Sequence, residues 1–176
     1  NILVTAAWAP TWLDPHLLSP APWHFPMGTA LLATDMGGQL WRVELLNGRI
    51  AWMRYPSARS LKQLAGLSSL EKRLAILHSA QQLVGTAYYW GGRSPGPSQA
   101  SVAVTGVDCS GLVNLAYRTA GVEIPRDAHE QFLRAAPAIV PRPADLVFLS
   151  ERDNPSRIVH VMLYVGDGDV IEGPGT

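Results

Sequence analysis

The sequence has little of what would tie it to a metal, a polyanion or a bilayer. Among 176 residues there is a single cysteine, which excludes an internal disulfide and any zinc site built from several thiolates. The 14 basic and 14 acidic side chains cancel, so no footprint for nucleic acid is evident. No apolar run approaches the roughly 18 residues of a membrane span. We therefore expect a globular protein that binds no nucleic acid, does not insert into a membrane and needs no metal or other cofactor. We also expect it to be a monomer.

The single cysteine, Cys109, lies where a helix is predicted to begin. Asp108 is a favourable N-cap residue, the following segment carries apolar residues at helical spacing, and Gly121 supplies a stop. In the first turn of a helix, the free N–H groups and aligned peptide dipoles favour a thiolate anion. Cys109 is thus a candidate nucleophile, although a lone cysteine is also commonly a small core residue.

The first 58 residues differ in composition from the rest and are predicted to form a small, strongly bent β-barrel. They hold five of the six tryptophans, together with five prolines between residues 10 and 26. Alternation of apolar and charged residues from Trp41 to Leu45 predicts a half-buried strand, and Asn47-Gly48 predicts a hairpin. We interpret the tryptophans mainly as core and packing residues.

Residues 59–176 combine helical and strand signals. Ser68 and Glu71 form a capping box that predicts a helix, and Asp127 is the predicted N-cap of a short helix further on. Strands are predicted at 145–150 and 158–165. The inner face of the first helix is predicted from apolar residues at helical spacing: Leu70, Leu74, Leu77 and Val84.

The loop at 93–107 is rich in serine, proline and glycine and leads directly to the candidate nucleophile. A loop of this length suits a rim that shapes access to a site.

His160 is the best candidate for a base that activates the thiol. It interrupts an apolar strand, so its presence there requires an explanation, of which a satisfied core histidine is one. Glu172 follows across a turn and could orient the imidazole. A two-residue turn would put Glu172 on the opposite face, whereas a three-residue loop with Gly168 in the left-handed region brings both side chains to one face, and we predict that loop. The other histidines, His129 among them, are interpreted as structural or solvent-facing.

Five ordered motifs over roughly residues 68–176 resemble those of the NlpC/P60 cysteine peptidases. They are Tyr88-x-Trp90-Gly91-Gly92, Asp108-Cys109-Ser110-Gly111-Leu112, Ile124-Pro125-Arg126-Asp127, Asp145-Leu146-Val147-Phe148 and His160-Val161-x-x-Tyr164-Val165-Gly166-Asp167-Gly168. The resemblance implies an α+β, papain-like domain at 59–176, with helices packed on an antiparallel sheet and an incomplete C-terminal end.

The segment at 1–58 resembles a bacterial SH3 domain. The resemblance rests on a Gly-Thr-x-Leu opening at 28–31, a Trp-x-Val-x-Leu strand at 41–45 and an Asn-Gly-x-x-Ala-Trp hairpin at 47–52. With the Pro-Arg-Asp-Ala motif at 125–128, the whole chain is similar to the γ-D-glutamyl-L-diamino acid endopeptidases, which cleave bacterial cell-wall peptides.

The resemblance implies a role for each residue of the site. Cys109 would be the nucleophile, His160 the base and Glu172 the orienting residue. The substrate-binding residues would be Tyr88 beside the thiol, Trp90, and the pair Asp108 and Ser110, which would meet the free amino terminus of L-Ala in a peptidoglycan stem peptide.

The implied reaction is hydrolysis of the bond between γ-D-Glu and the diamino acid of a stem peptide or muropeptide. Two alternatives stay open: a catalytically inactive wall-peptide-binding module, and an amidase or acyltransferase that uses the same Cys109–His160 pair. The first four residues carry neither an initiator methionine nor a basic signal region, which favours a mature or trimmed chain. A bacterial location in the cell envelope or outside the cell is favoured over the cytoplasm.

Overall fold

The computed structural model describes residues 1–96 and 105–173, and the chain folds as two compact units, Asn1–Leu67 and Ser68–Thr176. The first unit contains seven strands: β1 Ile2–Val4, β2 Trp8–Trp12, β3 Pro20–Pro26, β4 Ala30–Met36, β5 Leu40–Glu44, β6 Ile50–Arg54 and β7 Ala58–Ser60. They form one antiparallel sheet in the order β3-β2-β6-β5-β4-β1-β7. A short 3-10 helix, Tyr55–Ser57, precedes β7, and helix α1, Leu61–Ala65, follows it.

The hairpin predicted at Asn47-Gly48 is present between β5 and β6. The Leu45 N–H donates to the Arg49 carbonyl over 2.9 Å, and Gly48 has a φ of 77°, a left-handed conformation that glycine adopts without strain. The predicted alternation is confirmed as well, because Trp41 and Val43 point into the core of this unit.

The first unit extends further along the chain than the predicted boundary at residue 58. Strand β7 pairs with β1, with Arg59 opposite Leu3, and Leu64 of α1 is buried. Pairing with a strand more than 50 residues earlier leaves no mark in the local sequence.

In the part of the second unit that the structure describes there are three helices longer than α1 and two small sheets. Its elements are α2 Ser69–Leu83, β8 Arg93–Ser94, β9 Gly106–Val107, α3 Cys109–Arg118, α4 Ala128–Arg134, β10 Leu146–Glu151, β11 Asn154–Gly166 and β12 Asp169–Ile171. Strands β10, β11 and β12 form an antiparallel sheet, and β8 pairs with β9. Helix α3 packs against both α2 and β11, so this unit is an α+β domain with helices on an antiparallel sheet.

The predicted inner face of α2 is wrong, although its capping box is present. The Ser68 Oγ accepts from the Glu71 N–H, and the Glu71 carboxylate accepts from the Ser68 N–H. Leu70 and Leu74, however, are 67% and 57% exposed. The residues that α2 buries lie on a different stripe: Ile76, Ser79, Ala80 and Leu83.

The buried stripe of α2 contains a polar residue that is paired with another helix, so it does not stand out as a row of apolar residues. The buried Ser79 hydroxyl accepts from the buried Thr119 hydroxyl at the end of α3 over 2.7 Å. Two small polar residues that satisfy each other can replace leucines at a helix contact, and apolar spacing alone does not reveal such a pair.

No helix within 1–96 and 105–173 combines the length and apolar character needed to cross a bilayer.

Candidate active site

Cys109 is the first residue of α3, as the sequence predicts. The Asp108 carboxylate caps the helix by accepting from the Gly111 N–H over 2.6 Å. Cys109 is buried in the fold but borders a cleft of about 710 Å³, which Trp90, Arg126 and Ile158 also line. The thiol therefore has the two features of a helix-borne nucleophile, free backbone N–H groups around it and a space in which a substrate can meet it.

A β-bulge in β11 sets the direction of His160. Leu149 of β10 lies opposite His160 while Ser150 lies opposite Ile158, so Val159 is an extra residue between them. As a result Ile158 and Val161 are both buried, whereas His160 lies on the other face of the strand. Bulges commonly re-aim a side chain next to a functional site.

His160 and Glu172 are in contact, as their predicted pairing requires. The His160 Nε2 lies 2.6 Å from the Glu172 Oε2. Because Nε2 is bound to the carboxylate, the neutral imidazole holds its proton there and its lone pair on Nδ1. Nδ1 is thus the nitrogen able to accept a proton from a thiol.

The loop that sets this register differs from the predicted one. Asp167 and Gly168 form a two-residue turn with φ values of 53° and 88°, closed by Gly166 opposite Asp169. The register shifts between Tyr164 and Gly166, so Val165 is an extra residue on β11. This bulge moves the pairing by one residue, as a three-residue loop would have done, so the pairing beyond the bulge is the predicted one.

The end of the chain after β12 brings Glu172 to the start of α3. An ideal Cβ on Gly173 would lie 3.3 Å from the Asp108 carbonyl carbon and 3.4 Å from the Cys109 nitrogen. The backbone of residue 173 therefore packs on the helix start, and the carboxylate bound to His160 comes from the neighbouring residue. Cys109, His160 and Glu172 consequently belong to one corner of the second unit.

Tyr88 is held next to the strand that leads to the thiol. Its backbone forms an isolated bridge with Val107, two residues before Cys109. Burial and the negative charges of Cys109 and Asp108 raise the pKa of Tyr88 above its ordinary value. The phenol is therefore neutral near pH 7 and keeps its O–H as a hydrogen-bond donor.

From the described residues, five hydrogen bonds converge on the Asp108 carboxylate. They come from the Gly111 N–H (2.6 Å), the Gly91 N–H (2.9 Å), the Ser110 hydroxyl (3.3 Å) and both terminal nitrogens of Arg126 (3.0 and 2.8 Å). A carboxylate offers about four lone-pair positions. A cation approaching Asp108 would thus meet a carboxylate that is already paired with Arg126.

These contacts also set the ionisation of Asp108. Burial would raise its pKa, but the hydrogen bonds from Arg126, Gly111 and Gly91 outweigh burial, so the pKa lies below its ordinary value. A lowered folded-state pKa stabilises the fold fully above the unfolded value of about 3.9, and this contribution is lost as the pH falls through the lower folded-state value.

Two buried amides near the site carry no predicted role. On α3, the Asn114 Nδ2 donates to the carbonyls of Ile124 and Pro125 over 2.8 and 3.1 Å. On α4, the Gln131 Nε2 donates to the Pro125 and Ser110 carbonyls over 2.9 and 3.2 Å. Together they tie the segment that carries Arg126 to the helix of the nucleophile. The sequence gives a signal for Asn114, an amide between Val113 and Leu115, but none for Gln131, which follows His129 and Glu130.

His129, interpreted from sequence as structural or solvent-facing, lines the same cleft as Cys109. Its Nδ1 accepts from the Ile158 N–H over 3.4 Å. Trp90, a predicted substrate residue, borders the cleft with 82% of its surface exposed. The predicted loop rim at 93–107 lies largely outside the described residues, which include only its two ends.

Gly111 is required by a close backbone approach. A Cβ at this position would collide with the Gly92 carbonyl oxygen, which also accepts from the Asp108 N–H and from Arg126 over 3.1 Å each. We expect Gly111→Ala to lower the free energy of unfolding by about 1–3 kcal/mol through overpacking, measured by urea denaturation. Gly66→Ala is the control, since its added methyl would have only ordinary contacts; equal stability of the two variants would contradict the close approach.

Among the described residues, no group of three or more His, Cys, Asp or Glu side chains is arranged to hold a metal ion.

Comparison with known proteins identifies the family to which this geometry belongs. The sequence model of the NlpC/P60 family matches residues 85–176, and the chain belongs to that family. A γ-D-glutamyl-L-lysine dipeptidyl-peptidase of Bacillus cereus is 27% identical over 139 residues, which are 76% of this chain and 38% of the relative. Peptidoglycan endopeptidase RipB of Mycobacterium tuberculosis is 36% identical over 107 residues, 57% of this chain and 43% of the relative.

Solved structures agree with this assignment. A NlpC/P60 family protein from Bacillus cereus has a TM-score of 0.76 and 25% identity, and the match covers 99% of this chain and 54% of that protein. The chain therefore spans about half or less of the length of these relatives. The RipB structure of Mycobacterium tuberculosis has a TM-score of 0.50 and 32% identity, covering 65% of this chain and 60% of that one.

Proposed function

We propose that this protein is a cysteine peptidase that hydrolyses the bond between γ-D-Glu and the diamino acid of peptidoglycan stem peptides. The observation that carries the proposal is the 2.6 Å contact between the His160 Nε2 and the Glu172 Oε2. The backbone of the next residue, Gly173, packs against the start of α3 at Cys109. The relatives named as peptidoglycan endopeptidases and as a γ-D-glutamyl-L-lysine dipeptidyl-peptidase support the substrate class.

The proposed reaction is acyl transfer in two steps. The His160 Nδ1 takes the thiol proton while the sulfur of Cys109 attacks the γ-carbonyl carbon, and Glu172 stabilises the imidazolium that forms. His160 then gives the proton to the leaving amine as the C–N bond breaks. A water molecule, deprotonated by His160, hydrolyses the thioester and regenerates the thiol. The Cys109 N–H and the neutral Tyr88 hydroxyl are the proposed donors to the oxyanion.

The proposed binding site for the amino end of the substrate consists of Ser110 and Asp108 at the cleft floor and Trp90 at its rim. A substrate chain extended beyond L-Ala would replace a hydrogen-bonding ammonium group by an amide that these residues do not match.

Acetylation of the L-Ala amino group is expected to lower kcat/KM. Because Arg126 already neutralises Asp108, we expect a loss of about tenfold, at the low end of what a charged hydrogen bond contributes. The measurement compares L-Ala-γ-D-Glu-diaminopimelate with its N-acetyl form at equal concentrations. Equal turnover of both peptides would contradict an amino-end site, and would favour the amidase or acyltransferase alternative.

We further propose that the first unit is a bacterial SH3-like domain and that the protein acts in the cell envelope or after secretion, as a monomer. The seven antiparallel strands of the first unit support the first proposal. Sedimentation of the purified chain tests the monomer, and a dimer at micromolar concentration would contradict it.

The function is tested by incubating the protein with defined stem peptides and identifying the products by mass spectrometry. Release of L-Ala-D-Glu supports the proposal. Binding of the peptide without any product would favour the inactive wall-binding module.

A further inference from the structure

Arg126 joins three segments around the candidate nucleophile. Its Nη1 donates to the Asp108 Oδ1 over 3.0 Å and to the Ser110 Oγ over 2.7 Å. Its Nη2 donates to the Asp108 Oδ2 over 2.8 Å and to the Gly92 carbonyl over 3.1 Å. A planar guanidinium matches a carboxylate with two parallel bonds, which a lysine cannot do. The residues on both sides of Cys109 are therefore held by one cation.

The position of Asp108 creates an electrostatic conflict for a thiolate. Asp108 directly precedes Cys109 and is buried with it, so water screens the two negative charges poorly. The Asp108 carboxylate is the N-cap of α3, and a thiolate beside an uncompensated carboxylate would be disfavoured. The same two groups act together on Tyr88, which indicates that all three lie within electrostatic reach.

We infer that Arg126 is a positioning residue that neutralises Asp108, so that the helix cap is retained while Cys109 can ionise. The importance of this arrangement for catalysis rests on the proposed function, whereas its effect on the thiol does not. A second consequence is geometric, since the bond to Gly92 holds the Tyr-x-Trp-Gly-Gly segment against the start of α3.

Other charged or titratable groups also face this corner, and they are the same in every variant compared below. They are Tyr88 before β8, Asp127 before α4, His129 on α4, Arg157 and His160 on β11, and Glu172 after β12.

A double-substitution cycle tests the inference through alkylation of the single cysteine by iodoacetamide as a function of pH. Arg126→Gln leaves the Asp108 charge beside the thiol, so the midpoint of the rate profile is expected to rise by about one pH unit. Asp108→Asn leaves the Arg126 charge instead, so the midpoint is expected to fall by a similar amount. The double variant Asp108→Asn/Arg126→Gln carries neither charge, and its midpoint is expected to return to within about 0.3 unit of the wild type.

The cycle separates an electrostatic role from a merely structural one. Damage to the fold would shift the two single variants in the same direction and would worsen in the double variant, which would overturn the inference, as would unchanged profiles. If Arg126→Gln does not fold, Asp108→Asn alone decides the question: a lower midpoint supports the inference, and an unchanged or higher midpoint overturns it. Because alkylation needs no peptide, a wild type without peptidase activity would refute the proposed function and leave this inference standing.

Discussion

Replacing Cys109 by alanine is expected to lower kcat/KM for stem-peptide hydrolysis by at least about 10⁴-fold, because the nucleophile acts as a unit with its base. The side chain is small and buried at the first turn of α3, where the cap is made by Asp108 rather than by the thiol. The fold should therefore survive, with a melting temperature within about 3 °C of the wild type. Hydrolysis is followed by chromatography and melting by circular dichroism.

Chemical modification provides the matched control for this variant. The chain has one cysteine, so iodoacetamide should inactivate the wild type with the uptake of one label, and Cys109→Ala should take up none. Retained turnover in either the variant or the labelled protein would refute Cys109 as the nucleophile.

His160→Ala is expected to lower kcat by about 10³- to 10⁴-fold, since the thiol then has no base and the leaving amine no acid. Glu172→Gln can still bond to the imidazole but cannot stabilise its cation, so we expect a smaller loss of about 10- to 100-fold. Both values are taken from the pH dependence of kcat on a peptide with a free amino end.

His129→Ala is the control that distinguishes the two cleft histidines. His129 contacts the Ile158 N–H and lines the cleft, but within residues 1–96 and 105–173 no carboxylate is paired with it as Glu172 is with His160. We expect its kcat to stay within about fivefold of the wild type. A large loss in His129→Ala together with a small one in His160→Ala would reverse the assignment of the base.

The features that local sequence predicts well are those made by neighbouring residues. The cap of α3 by Asp108 and the capping box at Ser68 depend on side chains that bond to backbone within three residues, so their chemistry is visible in the sequence. The pairing of His160 with Glu172 could also be predicted from the sequence, because strand alternation and the Asp-Gly turn limit the possible registers to two. The sequence did not distinguish a longer loop from a turn with a bulge.

The features that could not be predicted are made by residues far apart in the sequence. The Arg126 guanidinium bonds to Asp108 across 18 positions and to Gly92 across 34, and no periodic pattern encodes such contacts. The buried stripe of α2 depends on Thr119 of another helix, 40 positions away from Ser79. In both cases tertiary packing decides which polar groups are satisfied inside the fold.

Cleavage of a γ-D-glutamyl bond by Cys109 and His160 is tested most directly by mass spectrometry of L-Ala-γ-D-Glu-diaminopimelate-D-Ala after incubation with the protein. We expect two products, L-Ala-D-Glu and diaminopimelate-D-Ala, from the wild type, and intact peptide from Cys109→Ala. An intact peptide with the wild type, or cleavage at any other bond, would contradict it.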